Sequence, residues 1–220
     1  TGDARAFKGN SGQWLFDPYD VTISTDPTSF FDPQSTSLWA PTSNSSNLLN
    51  TSISNLLNSG TDVTVTTGNI GNQSGNITVN APIIQSQNAT PAKLTFTANQ
   101  NIQINNAISL NAGGSILELN TGNSNSGGNI DFLAPVITET LNMNLTGSSS
   151  YVRQDPAITN SAISVNNLRI SGTNAQVLLS NQANKIGILA ANVASLNLTT
   201  ADGIDLGNTY GKGIYVSTVG

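Results

Sequence analysis

The sequence predicts an all-β protein, a right-handed parallel β-helix whose short strands stack coil upon coil. The prediction depends on three similar segments, residues 75–83, 100–108 and 128–136, each of which places Asn-Ile before an alternating polar and apolar pair. These segments recur about every 25 to 28 residues, a spacing typical of solenoids. A unit with two short strands cannot bury its own apolar face, so it must stack on a copy of itself.

The use of Asn favours parallel coils over stacked hairpins, which are the main alternative fold. The chain has 31 Asn and seven Gly-Asn pairs, but no Asn-Gly pair and one Asp-Gly pair. Two-residue hairpin turns prefer Asn-Gly and Asp-Gly, whereas Gly and Asn tolerate the left-handed backbone that solenoid corners need. We also expect Asn side chains at such corners to stack into hydrogen-bonded ladders.

The composition excludes several functional classes. The chain has 220 residues, a net charge of −5 and seven Lys and Arg, so it lacks the basic surface that nucleic-acid binding requires. It has no His and no Cys, which rules out Ser-His-Asp and Cys-His catalysis and His/Cys zinc sites. No apolar run approaches the roughly 20 residues of a membrane-spanning helix. We therefore expect no cofactor, no nucleic-acid partner and no membrane insertion.

The first part of the chain is predicted to be less regular than the rest. Residues 1–23 form an entering coil, in which Trp14 is interpreted as a core or edge aromatic that precedes an Asp-Pro turn and an alternating strand. Residues 24–60 contain a loop excursion, because three Xaa-Pro pairs among many Ser and Thr interrupt the alternation up to residue 47.

One short helix is predicted near residues 48–58, where Leu and Ile recur at helical spacing. Gly60 suits its C-terminal end. Its start has three candidate caps, Ser45, Ser46 and Asn47. Because the helix is short and apolar, we expect it to cover an open edge of the solenoid.

Regular coils are predicted for residues 61–146, and alternation assigns their inward side chains. A loop follows at 147–160, and residues 161–220 are expected to form further coils that continue beyond the end of the chain. The side chains predicted to stack in the core are Ile77, Phe96, Ile104, Leu119, Phe132 and Met143.

Three motifs occur in order along the chain. The second is the helix followed by strands at 61–67 and 75–80, and the third is the line at 184–206 with Ala-Asp-Gly before a closing strand. The first is a Gly-x-Trp-Leu-x-Asp-Pro line carried by Gly12, Trp14, Leu15, Asp17, Pro18, Asp20, Thr22 and Ile23. Together the three motifs resemble one family, the filamentous-haemagglutinin-like exoproteins of bacterial two-partner secretion. The long excursion at 24–47 departs from the family pattern.

The resemblance implies a non-catalytic segment of an adhesin, exposed at the surface of a Gram-negative bacterium or released from it. Such a segment would leave the cell through an outer-membrane transporter and serve as stalk and adhesive surface. Its partners would be a glycan or protein of a host or bacterial surface, or copies of itself. Two alternatives stay open: a subunit of a self-assembling extracellular filament, and a carbohydrate-active β-helix enzyme.

Candidate functional residues lie mainly in the two predicted loops, where a repeat scaffold would carry recognition. An enzyme would need carboxylates that converge on a groove, for which Glu118, Asp131 and Asp155 are the candidates. Surface recognition is assigned to Phe30, Phe31, Trp39, Tyr151 and Arg153. Glycosylation is assigned to the Asn-x-Ser/Thr sites at Asn44, Asn50, Asn72, Asn76, Asn88, Asn144 and Asn197.

Overall fold

The structure is a computed structural model that describes residues 20–30, 43–67, 73–122, 127–154 and 160–205, with the backbone alone of 13–16 and 206. These residues contain one helix, α1 (Asn50–Asn58), and the strands β1 (Gln13–Phe16), β2 (Val21–Ser24), β3 (Ser46–Leu49), β4 (Asp62–Thr66), β5 (Ile77–Val79), β6 (Ile83–Gln85), β7 (Lys93–Ala98), β8 (Ile102–Ile104), β9 (Ile108–Leu110), β10 (Ile116–Thr121), β11 (Ile130–Phe132), β12 (Val136–Leu145), β13 (Ser150–Gln154), β14 (Ile163–Leu179), β15 (Lys185–Leu198) and β16 (Asp205–Leu206).

The strands form a parallel β-solenoid of about six turns. They pair in three stacks: stack one is β1-β4-β7-β10-β12-β14-β15-β16, stack two is β3-β2-β5-β8-β11-β13-β14-β15, and stack three is β6-β9-β12-β14-β15. The long strands β12, β14 and β15 belong to more than one stack because they continue around a corner. Every named strand pair is parallel, so the predicted coils are confirmed and the hairpin alternative is wrong.

The core consists of columns of apolar side chains, one from each coil. Ile77, Ile102 and Ile130 are in register in stack two, as the repeated Asn-Ile segments predicted. All six side chains predicted to stack in the core are fully buried. Like packs on like because equivalent strands lie only about 4.8 Å apart.

An amide ladder supports the corner that precedes stack two. The Asn101 side chain donates its Nδ2 hydrogen to Asn76 Oδ1 at 2.9 Å, and the backbone N–H of Asn129 donates to Asn101 Oδ1 at 3.0 Å. The ladder continues to Asp20, whose Oδ1 accepts the N–H of Asn76, and to Tyr151, whose N–H donates to Asn129 Oδ1. Corner N–H groups that a strand cannot satisfy are thereby paired, and the predicted Asn ladder is confirmed.

Helix α1 is shorter at its start than predicted. Residues 46–49 form β3, which pairs with β2 and buries Leu48, and the helix begins at Asn50. Its N-cap is Leu49, which makes no side-chain capping bond, so the predicted caps at residues 45–47 are wrong. Residues 46–49 form a strand rather than the first turn of the helix, because pairing with β2 extends the sheet and buries Leu48. Gly60 ends the helix at φ 77°, as expected.

The helix takes the place of a strand beside the edge strand β6, and its polar side chains satisfy that edge. The backbone N–H of Ile84 donates to Ser54 Oγ at 3.0 Å, and that of Ser86 donates to Asn58 Oδ1 at 2.8 Å. Asn58 Nδ2 in turn donates to the Ile84 carbonyl at 3.3 Å. An unpaired edge invites further strand pairing, so α1 caps stack three as the sequence predicted.

Candidate recognition surface

Two of the predicted recognition residues, Tyr151 and Arg153, project outward from β13. The structure places this strand, Ser150–Gln154, within the interval predicted as a loop. Alternation buries Ser150, Val152 and Gln154 and exposes the two residues between them. Tyr151 is 42% exposed, so its side chain reaches solvent.

The buried end of β13 is fixed by a polar network, which explains why a strand forms there. Gln154 Nε2 donates to the Ser161 carbonyl at 2.7 Å and to Asn184 Oδ1 at 2.8 Å. Asn184 Nδ2 in turn donates a hydrogen bond to Gln154 Oε1 at 2.9 Å. Because buried amides are costly unless they are hydrogen-bonded, this mutual pairing holds β13, and hence Tyr151 and Arg153, in one position.

The Tyr151 surface, as we call it, comprises Asp131, Tyr151, Arg153, Gln176 and Leu178. Register places Arg153 between Asp131 of β11 and Leu178 of β14, and Tyr151 beside Gln176. The Arg153 guanidinium donates to both Asp131 carboxylate oxygens, through Nε to Oδ1 and through Nη2 to Oδ2 at 3.3 Å. With Leu178 41% exposed, the surface combines an aromatic ring, an ion pair and an apolar side chain on the outer face of the sheet.

Phe30 lies apart from this surface. It follows Ser29, which forms a bridge with Asn47 of β3, and its side chain is 51% exposed. Five strand spacings separate β3 from β13 in stack two, or roughly 24 Å. The structure therefore does not unite Phe30 with Tyr151, and Phe31 and Trp39 lie outside the described residues.

Leu178 was not among the predicted recognition residues, although the sequence carries a signal for it. It is the middle residue of Val177-Leu178-Leu179, in which three consecutive apolar residues break the alternation and one must face outward. The same signal occurs at Ile137, which follows Val136 and is also exposed. Adjacent apolar residues in a solenoid strand therefore mark candidate surface positions.

Some of the predicted glycosylation sites are exposed, and others are buried or hydrogen-bonded. Asn44, Asn88 and Asn197 are exposed. Asn50 is buried and donates to the Pro82 carbonyl at 2.7 Å. Asn76 and Asn144 are half-buried in amide ladders, and Asn72 lies outside the described residues.

The candidate carboxylates do not converge. Asp131 lies in stack two with Arg153, whereas Glu118 lies in stack one with Lys93, whose Nζ is 3.7 Å from Glu118 Oε2. Asp155 lies outside the described residues. Among the residues that the structure describes, no group of three His, Cys, Asp or Glu could hold a metal ion. Within the same residues no helix has the length and apolar character needed to cross a membrane.

Comparisons with protein-family models, curated proteins and solved structures give no match. The class of protein is therefore defined by the fold alone, a parallel β-solenoid with a helical cap.

Proposed function

We propose that this chain is a non-catalytic segment of a secreted adhesin, which acts as a stalk and presents an adhesive surface. The Tyr151 surface is the observation that carries the proposal. Tyr151 and Leu178 expose large side chains from adjacent strands of a rigid sheet, and Arg153 lies in register with Leu178. Aromatic residues and Arg are enriched at protein interfaces because they offer contact area and hydrogen bonds at low entropic cost.

The composition of the rest of the surface supports a stalk. Charged residues make up only 9% of the chain, and outward positions are occupied mainly by Asn, Thr and Ser. Side-chain ladders such as Asn76–Asn101 and Asn120–Asn144 use many of these polar groups along the solenoid axis. Neighbouring coils are thereby tied together on the outside as well as in the core, which suits a rigid extended element.

The cap that α1 forms on stack three favours a stalk over the alternative function, a subunit of a self-assembling filament. Stack three ends at α1, which satisfies the edge of β6. Stack two ends at β3, where the N–H of Ser29 donates to the Asn47 carbonyl and the N–H of Leu49 to Thr28 Oγ1. End-to-end stacking would require unpaired strand edges, and in the part of the chain that the structure describes, two of the three edges at this end carry such bonds.

The resemblance to filamentous-haemagglutinin-like exoproteins supports a location outside the cell and export through an outer-membrane transporter. A transporter gene beside the parent reading frame would support this route, and a parent protein that is retained in the cytoplasm would contradict it.

Adhesion is tested with beads coated with the purified chain and passed over epithelial cells and bacterial lawns under flow. We expect retention above that of albumin-coated beads, and a severalfold loss with the double variant Tyr151→Ala, Leu178→Ala. Gln103→Ala, on the same stack but outside the Tyr151 surface, is the matched control and should leave retention unchanged. Retention equal to albumin on every surface would refute the proposal.

A further inference from the structure

A groove of about 430 Å³ runs along the solenoid axis where stack three turns into stack one. Its floor is made by β12, β14 and β15, which pass this corner as continuous strands. Residues 110–113 line one end of the groove, and residues 202–203 line the other. Three coils lie between these ends, and at a strand spacing of about 4.8 Å the floor is roughly 14 Å long.

Oriented amides line this corner groove. Asn166 Nδ2 donates to Glu139 Oε2 at 2.8 Å, and Asn111 Nδ2 donates to the Gln85 carbonyl at 3.1 Å. Each Asn amide carries a second N–H and a carbonyl oxygen that also accepts hydrogen bonds. Each amide is thus held in place by one bond and keeps further hydrogen-bonding capacity in the lining of the groove.

An apolar platform and a nearly balanced charge complete the lining. The Ile137 side chain is 43% exposed and forms part of the groove. The ionisable side chains are one base, Lys185, against two acids, Glu139 and Asp202. With two acids and one base the lining has no excess of positive charge, which polyanion binding requires, so nucleic acids and sulfated glycans are disfavoured.

The direction of the groove argues against a peptide ligand. A β-strand peptide binds by adding a strand to an open sheet edge, and Pro-rich peptides bind grooves lined by aromatic residues. This groove crosses the strands of its floor, and the described residues that line it include no aromatic one. Strand β14, in the middle, is paired on both sides, with β12 and with β15. A chain of hydroxyl groups needs no sheet edge, because hydroxyls donate and accept bonds with side-chain amides and carboxylates.

We propose that the corner groove is a binding site for an unbranched, uncharged oligosaccharide. The sugar hydroxyls bond Asn111, Glu139 and Asn166, and an apolar ring face packs on Ile137. The site is separate from the Tyr151 surface, which lies on stack two, so it adds a second binding site to the proposed adhesive function rather than restating it.

The test is titration of the isotope-labelled chain with neutral tetrasaccharides of β-linked glucose, β-linked N-acetylglucosamine, galactose and mannose, followed by NMR. A heparin tetrasaccharide is the anionic comparison. We expect at least one neutral probe to shift the backbone amides of Gly113, Asn166 and Gly203, with a dissociation constant on the order of 1 mM. The heparin probe should leave these amides unchanged.

Two variants and a control decide where binding occurs. Gly113→Trp adds a bulky side chain at one end of the groove lining, at a position where an added Cβ meets no atom within 4 Å, and it should abolish the shifts. Asn166→Ala should weaken binding about threefold to tenfold, the loss expected for one or two hydrogen bonds. Asn197→Ala removes an amide that is also exposed, but in stack two, and should have no effect.

The proposal is overturned if no neutral probe shifts the groove amides, or if Gly113→Trp binds as the parent chain does. This failure is distinguishable from failure of the adhesin proposal, because adhesion is measured on beads and depends on Tyr151. Beads that adhere while every tetrasaccharide fails would refute the groove alone. Tetrasaccharide binding without bead retention would refute adhesion alone.

Discussion

The regular coils between residues 77 and 145 and the capped end between residues 43 and 60 obtain their order in different ways. In the coils each side chain has an equivalent on the next coil, so that Leu94, Leu117 and Leu141 are in register. At the capped end only β3 continues this register, by pairing with β2. The helix α1 has no equivalent on the next coil and is held by individual bonds such as that from Ser86 N–H to Asn58 Oδ1. Repetition stabilises the interior of the solenoid, whereas its end requires contacts that occur once.

This difference leads to different sensitivity to mutation. A core substitution in a coil affects two neighbouring interfaces, because each repeat packs on the repeats before and after it. A substitution at the cap affects one edge only. We therefore expect substitutions in the coils to cause large losses of global stability and substitutions at the cap to cause small, local losses.

Phe132→Ala should have the largest effect. Phe132 is fully buried and packs in register between Ile104 and Gln154. Its truncation should lower the free energy of unfolding by about 3–5 kcal/mol, measured by chemical denaturation. Gln103→Ala, an outward position on the neighbouring strand, should change it by less than about 0.5 kcal/mol. Similar losses in the two variants would mean that the stacked core does not dominate coil stability.

Gly60→Ala should destabilise the cap by a smaller amount. Gly60 has φ 77°, and an added Cβ would lie 2.8 Å from Thr90 Cβ. A left-handed backbone costs an L-residue roughly 1–2 kcal/mol, and Thr90 must also move. Gly113→Ala is the matched control, since its Cβ meets no atom within 4 Å. Thermal unfolding should show a lower midpoint for Gly60→Ala only, and equal midpoints would exclude a strained Gly60.

Asn58→Ala should have the smallest effect and the most local one. It removes the acceptor for the Ser86 N–H and the donor to the Ile84 carbonyl, which costs about 1 kcal/mol for exposed bonds. Hydrogen exchange should accelerate at Ser86 while the amides of Ile102 and Ile130 keep their protection. Asn55→Ala, exposed on the same helix, is the control. If exchange accelerates equally in all coils, the cap and the coils unfold as one unit.

The candidate recognition surface was only partly predictable. Tyr151 and Arg153 were selected as residues of a loop, yet they lie on β13 and are exposed because strand alternation turns them outward. Leu178 belongs to the same surface but lies a full coil later in sequence. Alternation is local and can be read along one strand, whereas neighbours across coils depend on the length of every intervening turn.

The sequence by itself determined the parallel coils, the inward side chains and the corner ladders, because a period of two within strands and a repeat between coils specify them. Only the tertiary structure decided how the coils align, since coil length varies: Ile130 follows its partner Ile102 by 28 residues, and Val152 follows Ile130 by 22. The tertiary structure likewise assigned residues 46–49 to a strand. Their pairing with β2 is a contact between distant segments, which no local pattern encodes.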